Sequence, residues 1–330
     1  MNKGFIFFIL FFLSYNYSPA QSVEKIPFLL PAETFNKKRI WTMSGFGLAL
    51  YTGSMIGLNE LWYSDFPRSK FHLFDDRGEW MDMDKVGHFY SAYNESLFFY
   101  KLSRWGGMNK KQAIWAGAGI GTIIQTSIEI LDGHSEKWGF SIADIGFNTG
   151  GVALFAVQQA VWDEQKVVMK FSSYRKPYSD APLTSTQGNV TSSISEHADN
   201  LFGDKYIQYF LKDYNAQTIW LSGNIHSILK LDKENRFPKW LNVAVGYGVD
   251  NVFGGYGNTW TKNGESFRLS QDDYPRVRQY YLSLDIDLTR IPTKSRFLKT
   301  IFTAINMWKI PAPALRYDDT GTWKVHGFYF

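Results

Sequence analysis

Residues 141–162 read SIADIGFNTGGVALFAVQQAVW. From Ile145 to Trp162 this run carries no charge for 18 residues. At 1.5 Å per residue it approaches the ~30 Å of a hydrocarbon core. Ser141 and Asp144 are both favoured N-cap types, so a helix begins here, and Asp144 and Asn148, four apart, share one of its faces. Gly146, Gly150 and Gly151 would let a second helix approach closely. Three comparable stretches precede it. Ile40–Asn59 is uncharged for 20 residues and Gln112–Ile128 for 17, while Val86–Tyr100 is interrupted only by His88 and Glu95. Glycines recur at positions 45, 47, 53 and 57, and again at 117, 119 and 121. The pattern predicts a mainly α fold: a Gly-rich, membrane-associated four-helix bundle over 39–165, followed by a smaller mixed α+β C-terminal region. Four buried helices of a soluble protein would give the same runs, because hydrophobic periodicity does not separate the two cases.

Short connections make consecutive helices antiparallel. The start of the second helix, the end of the third and the start of the fourth then lie at one end. Asp84, Lys85 and His88 come from the first of these places, Glu129 and Asp132 from the second, and Ser141, Asp144 and Asn148 from the third. The opposite end carries Lys101, Arg104, Lys110 and Lys111 without an acid. Such a basic loop suits phosphate headgroups, or is simply solvated charge.

The spaced motif DKVGHF (84–89), E-x-x-D-G (129–133) and FSIADIGFNTGG (140–151) resembles the YfiM-type family of predicted periplasmic lipoproteins, a domain of unknown function, and more distantly the VanZ-like membrane proteins. The resemblance covers about residues 40–165. It matches Asp84, Lys85, His88, Glu129, Ser141, Asp144, Asn148 and Gly151, and implies an architecture and a site but no reaction. The chain departs from a lipoprotein in having no Cys, so no lipobox can be carried over. Several chemistries fit the cluster. His88, Glu129 and Asp144 are the catalytic candidates, as an oriented base and a buried acid. The same three could instead ligate a divalent metal, the one cofactor the sequence leaves open. Lys85 and His88 could hold a lipid phosphate, or the whole set could be a structural polar network.

MNKGFIFFILFFLSYNYSPA (1–20) has one cation, an apolar run of nine from Phe5 to Leu13, and small residues at its end. It reads as a secretory signal peptide. The 330 residues hold 35 Lys+Arg against 31 Asp+Glu, too mild a bias for a nucleic-acid partner. The absence of Cys excludes a disulfide framework, zinc–thiolate sites and a thiol nucleophile. Residues 171–200 read as a linker, since seven of the thirteen from Leu183 to Ser195 are Ser or Thr. Beyond it, 201–330 turns to period-two alternation at 241–250 and 280–289. Four or five such segments fall short of the eight strands a closed single-chain barrel needs, so hairpins packed on the helices are expected. SRFLKTIFTAINMW (295–308) reads as an amphipathic helix.

The resulting expectation is an exported protein of the Gram-negative outer membrane or periplasm, with a structural or lipid- or ligand-binding role. Membrane lipid and an envelope protein are its expected partners. The alternatives are a hydrolase or transferase acting on lipid or glycan phosphates, and a subunit of an envelope assembly.

Overall fold

Asn36, Asn109 and Ser141 each accept a hydrogen bond from the backbone N–H three residues on, and each starts a long helix. The computed structural model describes residues 29–330 apart from positions 65 and 233; the expected signal peptide lies outside the described residues. Helix α1 spans Lys37–Leu58 and runs into a π-helical turn at Asn59–Tyr63. It is followed by α2 (Met83–Trp105), α3 (Lys110–Gly133) and α4 (Ile142–Trp162). Helix α2 packs against both α3 and α4, and two glycines make that approach feasible. A Cβ on Gly117 would lie 2.4 Å from the Ser96 carbonyl oxygen, and one on Gly151 2.3 Å from that of Phe89.

The C-terminal half overturns the expected mainly α, four-helix membrane bundle. Strands β1 (Val167–Ser173), β4 (Gln217–Asn224), β5 (Leu241–Asp250), β8 (Val277–Ile286), β9 (Ala312–Asp318) and β10 (Trp323–Tyr329) form one antiparallel sheet in the order β1-β4-β5-β8-β9-β10. The fold therefore joins helices to a large sheet. Among the described residues only α3 is long and apolar enough to cross a membrane by length and composition. The segment read as a linker contains the end of β1 and the short ladder β2 (Leu183–Thr184) with β3 (Thr191–Ser192). It also holds the start of α5 (Ile194–Phe202). Helix α6 (Tyr206–Lys212), the single turn α7 (Ile225–Ile228), the ladder β6 (Thr259–Lys262) with β7 (Glu265–Arg268), and α8 (Arg296–Ile305) complete the chain.

The helical layer meets the sheet through Met83, Tyr93, Phe155, Met169 and Ile219. Where the helices do not cover it, the sheet is inverted relative to a soluble one. Its concave side buries polar groups: Lys170 Nζ stands 2.8 Å from Asp285 Oδ2, Ser222 Oγ donates to the same oxygen at 2.6 Å, and Asn242 Nδ2 donates to Ser222 at 2.9 Å. The sheet curls enough that the hydroxyls of Tyr329 on β10 and Thr218 on β4 are 2.9 Å apart, although three strands lie between. Its convex side carries Leu221, Val245, Leu282 and Val325, all exposed.

Candidate functional site

Helix α2 begins from an unusual turn. After Gly78, at φ 78°, Trp80, Met81 and Asp82 have φ of 51°, 54° and 64°. The left-handed region costs a non-glycine residue roughly 1–2 kcal/mol each, so this turn must be held from outside. It is: Trp80 N donates to the Gly255 carbonyl at 2.8 Å, the Tyr247 hydroxyl donates to the Met81 carbonyl, and Arg278 Nη2 donates to Asp82 Oδ2 at 2.9 Å. The turn sets Asp84, Lys85 and His88 in the first turns of α2, opposite the end of α3 and the start of α4.

Lys85 is 1% exposed. Its Nζ lies 2.6 Å from Asp76 Oδ2, 2.9 Å from Asp144 Oδ1 and 3.6 Å from Asp84 Oδ2. Burial opposes its charge, but these carboxylates outweigh burial and raise its pKa. Ser141 joins the two ends of the site. Its Oγ accepts from Asp144 N at 3.0 Å as the helix cap and donates to Asp76 Oδ1 at 2.6 Å, while its backbone N–H donates to Glu129 Oε2 at 3.2 Å.

His88 occupies the centre. Its Nδ1 is 3.2 Å from Asn148 Oδ1, 3.3 Å from Gln125 Oε1 and 3.5 Å from Glu129 Oε1. With a proton on Nδ1, Asn148 Oδ1 and Gln125 Oε1 are its acceptors. Gln125 is fixed in this sense because its Nε2 donates to Glu95 Oε2 at 2.9 Å. The other ring nitrogen, Nε2, faces Asp84 Oδ2 at 3.8 Å and Asp144 Oδ2 at 3.9 Å. Burial works against a charged ring, yet Asp84, Asp144 and Glu129 lift the His88 pKa to about 9.

Carboxylates outnumber bases here. Asp76, Asp84, Glu129, Asp132 and Asp144 face Lys85 and His88. Burial, which leaves Glu129 fully enclosed, pushes its pKa up to about 8. The same desolvation pushes Asp132 and Asp144 to about 7. Glu129 Oε1 and Asn148 Nδ2 are buried without a hydrogen-bond partner.

All eight predicted polar residues, Asp84, Lys85, His88, Glu129, Asp132, Ser141, Asp144 and Asn148, come to this end of the helices. Asp132 stands at the margin, accepting from the Tyr63 hydroxyl at 2.8 Å. Gly151 lies a turn beyond Asn148 and serves helix approach. Sequence reasoning missed four participants. Gln125 precedes Glu129 by four residues and shares its face of α3, a signal that was available. Asp76, Tyr63 and Tyr214, whose hydroxyl donates to Asp84 Oδ1 at 2.9 Å, come from irregular segments that no spacing rule reaches.

Asp84, His88 and Asp144 offer ligand atoms all within 4.8 Å of one another, so the class defined here is a helical His–carboxylate site able to hold a cation. Residues 73–160, which contain every predicted site residue, match the family model described as "Predicted periplasmic lipoprotein (DUF2279)". This agrees with the family of unknown function expected from the motif, and supports an exported, periplasmic or envelope location. No curated protein and no solved structure shows significant similarity to the chain.

Proposed function

We propose that the chain is an exported envelope protein, of unassigned enzymatic activity, whose helical half binds one divalent cation between Asp84, His88 and Asp144. The observation that carries this reading is the convergence of Asp84, His88 and Asp144, whose ligand atoms lie within 4.8 Å of one another. His88 Nε2 has two states: a second proton, or a lone pair turned to a metal with Nδ1–H anchored by Asn148 and Gln125. The second arrangement is the outer-shell pattern that orients metal-ligating histidines. One imidazole with two carboxylates suits zinc or manganese. Donors around a metal with bonds of about 2.1 Å stand roughly 3.0–3.4 Å apart. The 3.8 and 3.9 Å separations therefore close by about half an ångström on binding.

The test is native mass spectrometry and calorimetry of the folded chain with Zn²⁺ and Mn²⁺. One ion per chain is expected, lost in His88→Ala and in Asp144→Asn. Free ion at about 100 times Kd should raise stability by about 2.7 kcal/mol. Uptake unchanged in both variants would overturn the assignment.

A second reading, metal-assisted hydrolysis of a lipid or glycan phosphate, is supported by the partial exposure of the Asp84 and His88 side chains, 29% and 14%, which leaves a coordination position facing outward. Lys85 does not serve that reaction as a phosphate clamp, because Asp76 and Asp144 already enclose its ammonium group. Phosphate release from lipid or glycan phosphates that disappears with the bound ion would favour the enzyme.

A further inference from the structure

Strand register sorts the sheet into rows. On the convex side Leu221, Val245, Leu282, Leu315 and Val325 lie in one line across five strands. The next line begins under the helices with Ile219 and Tyr247 and emerges as Tyr280, Tyr317 and Trp323, all aromatic. A third pairs Val243 with Leu284. The concave side meanwhile encloses the Lys170–Asp285 pair. Apolar side chains outside, hydrogen-bonded polar ones inside and a line of Tyr and Trp along one border form the arrangement of a sheet whose outer solvent is hydrocarbon.

Helix α8 supplies a second apolar surface. It joins the end of β8 to the start of β9, so it stands at the border away from the aromatic row. Phe297, Leu298, Ile301 and Ile305 share one helical face, and none is buried, Phe297 being 65% exposed. An amphipathic helix normally lays such a face on its own protein; this one turns it outward. The flanking charge is of one sign. Residues 288–310 contain Arg290, Lys294, Arg296, Lys299 and Lys309 and no acid. Arg290, Lys294 and Lys299 line an open depression of about 540 Å³ beside the helix. Arg290 is already engaged by Asp287 and Glu164, and Lys309 is enclosed near Asp285, leaving Lys294, Arg296 and Lys299 at the rim.

We infer that the convex face of the sheet and helix α8 form a membrane-docking surface whose partner is a lipid bilayer bearing anionic phosphate headgroups. From Tyr280 to Ile286 the outward apolar band of β8 measures about 20 Å at ~3.3 Å per residue. That is deep enough to enter acyl chains, with Tyr and Trp at one headgroup level and the cations of α8 at the other. Charge complementarity selects this occupant: a basic rim around an apolar face matches anionic lipid.

The experiment is flotation of the full chain with vesicles of phosphatidylethanolamine and phosphatidylglycerol, against phosphatidylcholine alone. The chain should float with the anionic vesicles. The double variant Phe297→Glu, Ile301→Glu should lower the bound fraction at least tenfold on both compositions, and Lys294→Glu, Lys299→Glu should remove only the preference for anionic lipid. Far-UV circular dichroism checks the fold. If the α8 variant fails to fold, Val325→Asp on the edge strand, at a site 77% exposed, gives the same readout. Failure to float with either composition would overturn the proposal, as would flotation unchanged by the α8 and Val325 variants. So would a dimer in sedimentation velocity that the α8 variant dissociates while vesicles bind nothing, because a second copy would then cover the face.

Discussion

Burial turns single ionisable residues into determinants of pH behaviour. Glu95 on α2 shows this away from the cation ligands. Desolvation raises its pKa to about 7, against the opposing hydrogen bond from Gln125. An unfolded Glu ionises near pH 4.3, about where model peptides do. Between the two values the folded chain holds a proton that the unfolded chain has released. The stability contributed is therefore complete below about pH 4.3 and is lost as pH rises through about 7. Glu95→Gln should flatten this dependence and leave the protein roughly 1–3 kcal/mol more stable than wild type at pH 8, read as a higher urea midpoint; equal midpoints at pH 5.5 and 8 in the wild type would refute it. The buried pair Lys170–Asp285 behaves differently. Removing one partner strands the other charge, so Asp285→Leu should destabilise by about 3–5 kcal/mol. The double replacement Lys170→Met, Asp285→Leu should recover most of that loss in the same urea titration.

Among the elements, the long helices were legible because they obey local rules. An uncharged run, a side chain able to cap it and a loop too short for anything but an antiparallel return place α2, α3 and α4, and with them the site residues. Their glycines divide by what they face. Gly151 and Gly117 point at backbone oxygens of α2, so Gly151→Ala and Gly117→Ala should each cost about 1–3 kcal/mol through forced separation of the helices. A Cβ at Gly146 meets nothing within 4 Å, and Gly146→Ala should stabilise α4 by about 0.5–1 kcal/mol. Thermal melts of the three variants check the contrast; three equal losses would refute it. The sheet was hard to read for a physical reason. Period-two alternation identifies a strand but not which face is buried, and an inverted sheet has the same alternation as an ordinary one. Strands β1 and β9 are also interrupted in pattern: Val167–Val168–Met169 is continuously apolar, and β9 mixes Pro313, Arg316 and Asp318. The left-handed turn before α2 had little signature, since Trp and Met are poor candidates for positive φ and Asp82, of a type enriched there, stands alone after them.

For the whole molecule, the two halves meet at the site as well as in the core. Tyr214 reaches Asp84 from the segment before β4, and Arg278 of β8 reaches Asp82. Neither residue would touch a cation held by Asp84, His88 and Asp144. Tyr214→Phe and Arg278→Ala should nonetheless weaken zinc or manganese uptake about tenfold, the usual scale for removing an outer-shell partner; calorimetry showing wild-type affinity in both would separate the sheet from the site. Such dependence has a consequence for the segment that matches the family model. Nothing between Glu79 and Asp84 is Pro or Gly, so local preference alone would let α2 wind backwards through Asp82, Met81 and Trp80 as ordinary right-handed helix. Tyr247, Gly255 and Arg278, all beyond residue 160, prevent that by gripping the turn. The C-terminal half thus acts as a register stop: it decides where α2 begins. Residues 73–160, made alone, would contain every ligand yet start the helix in the wrong place.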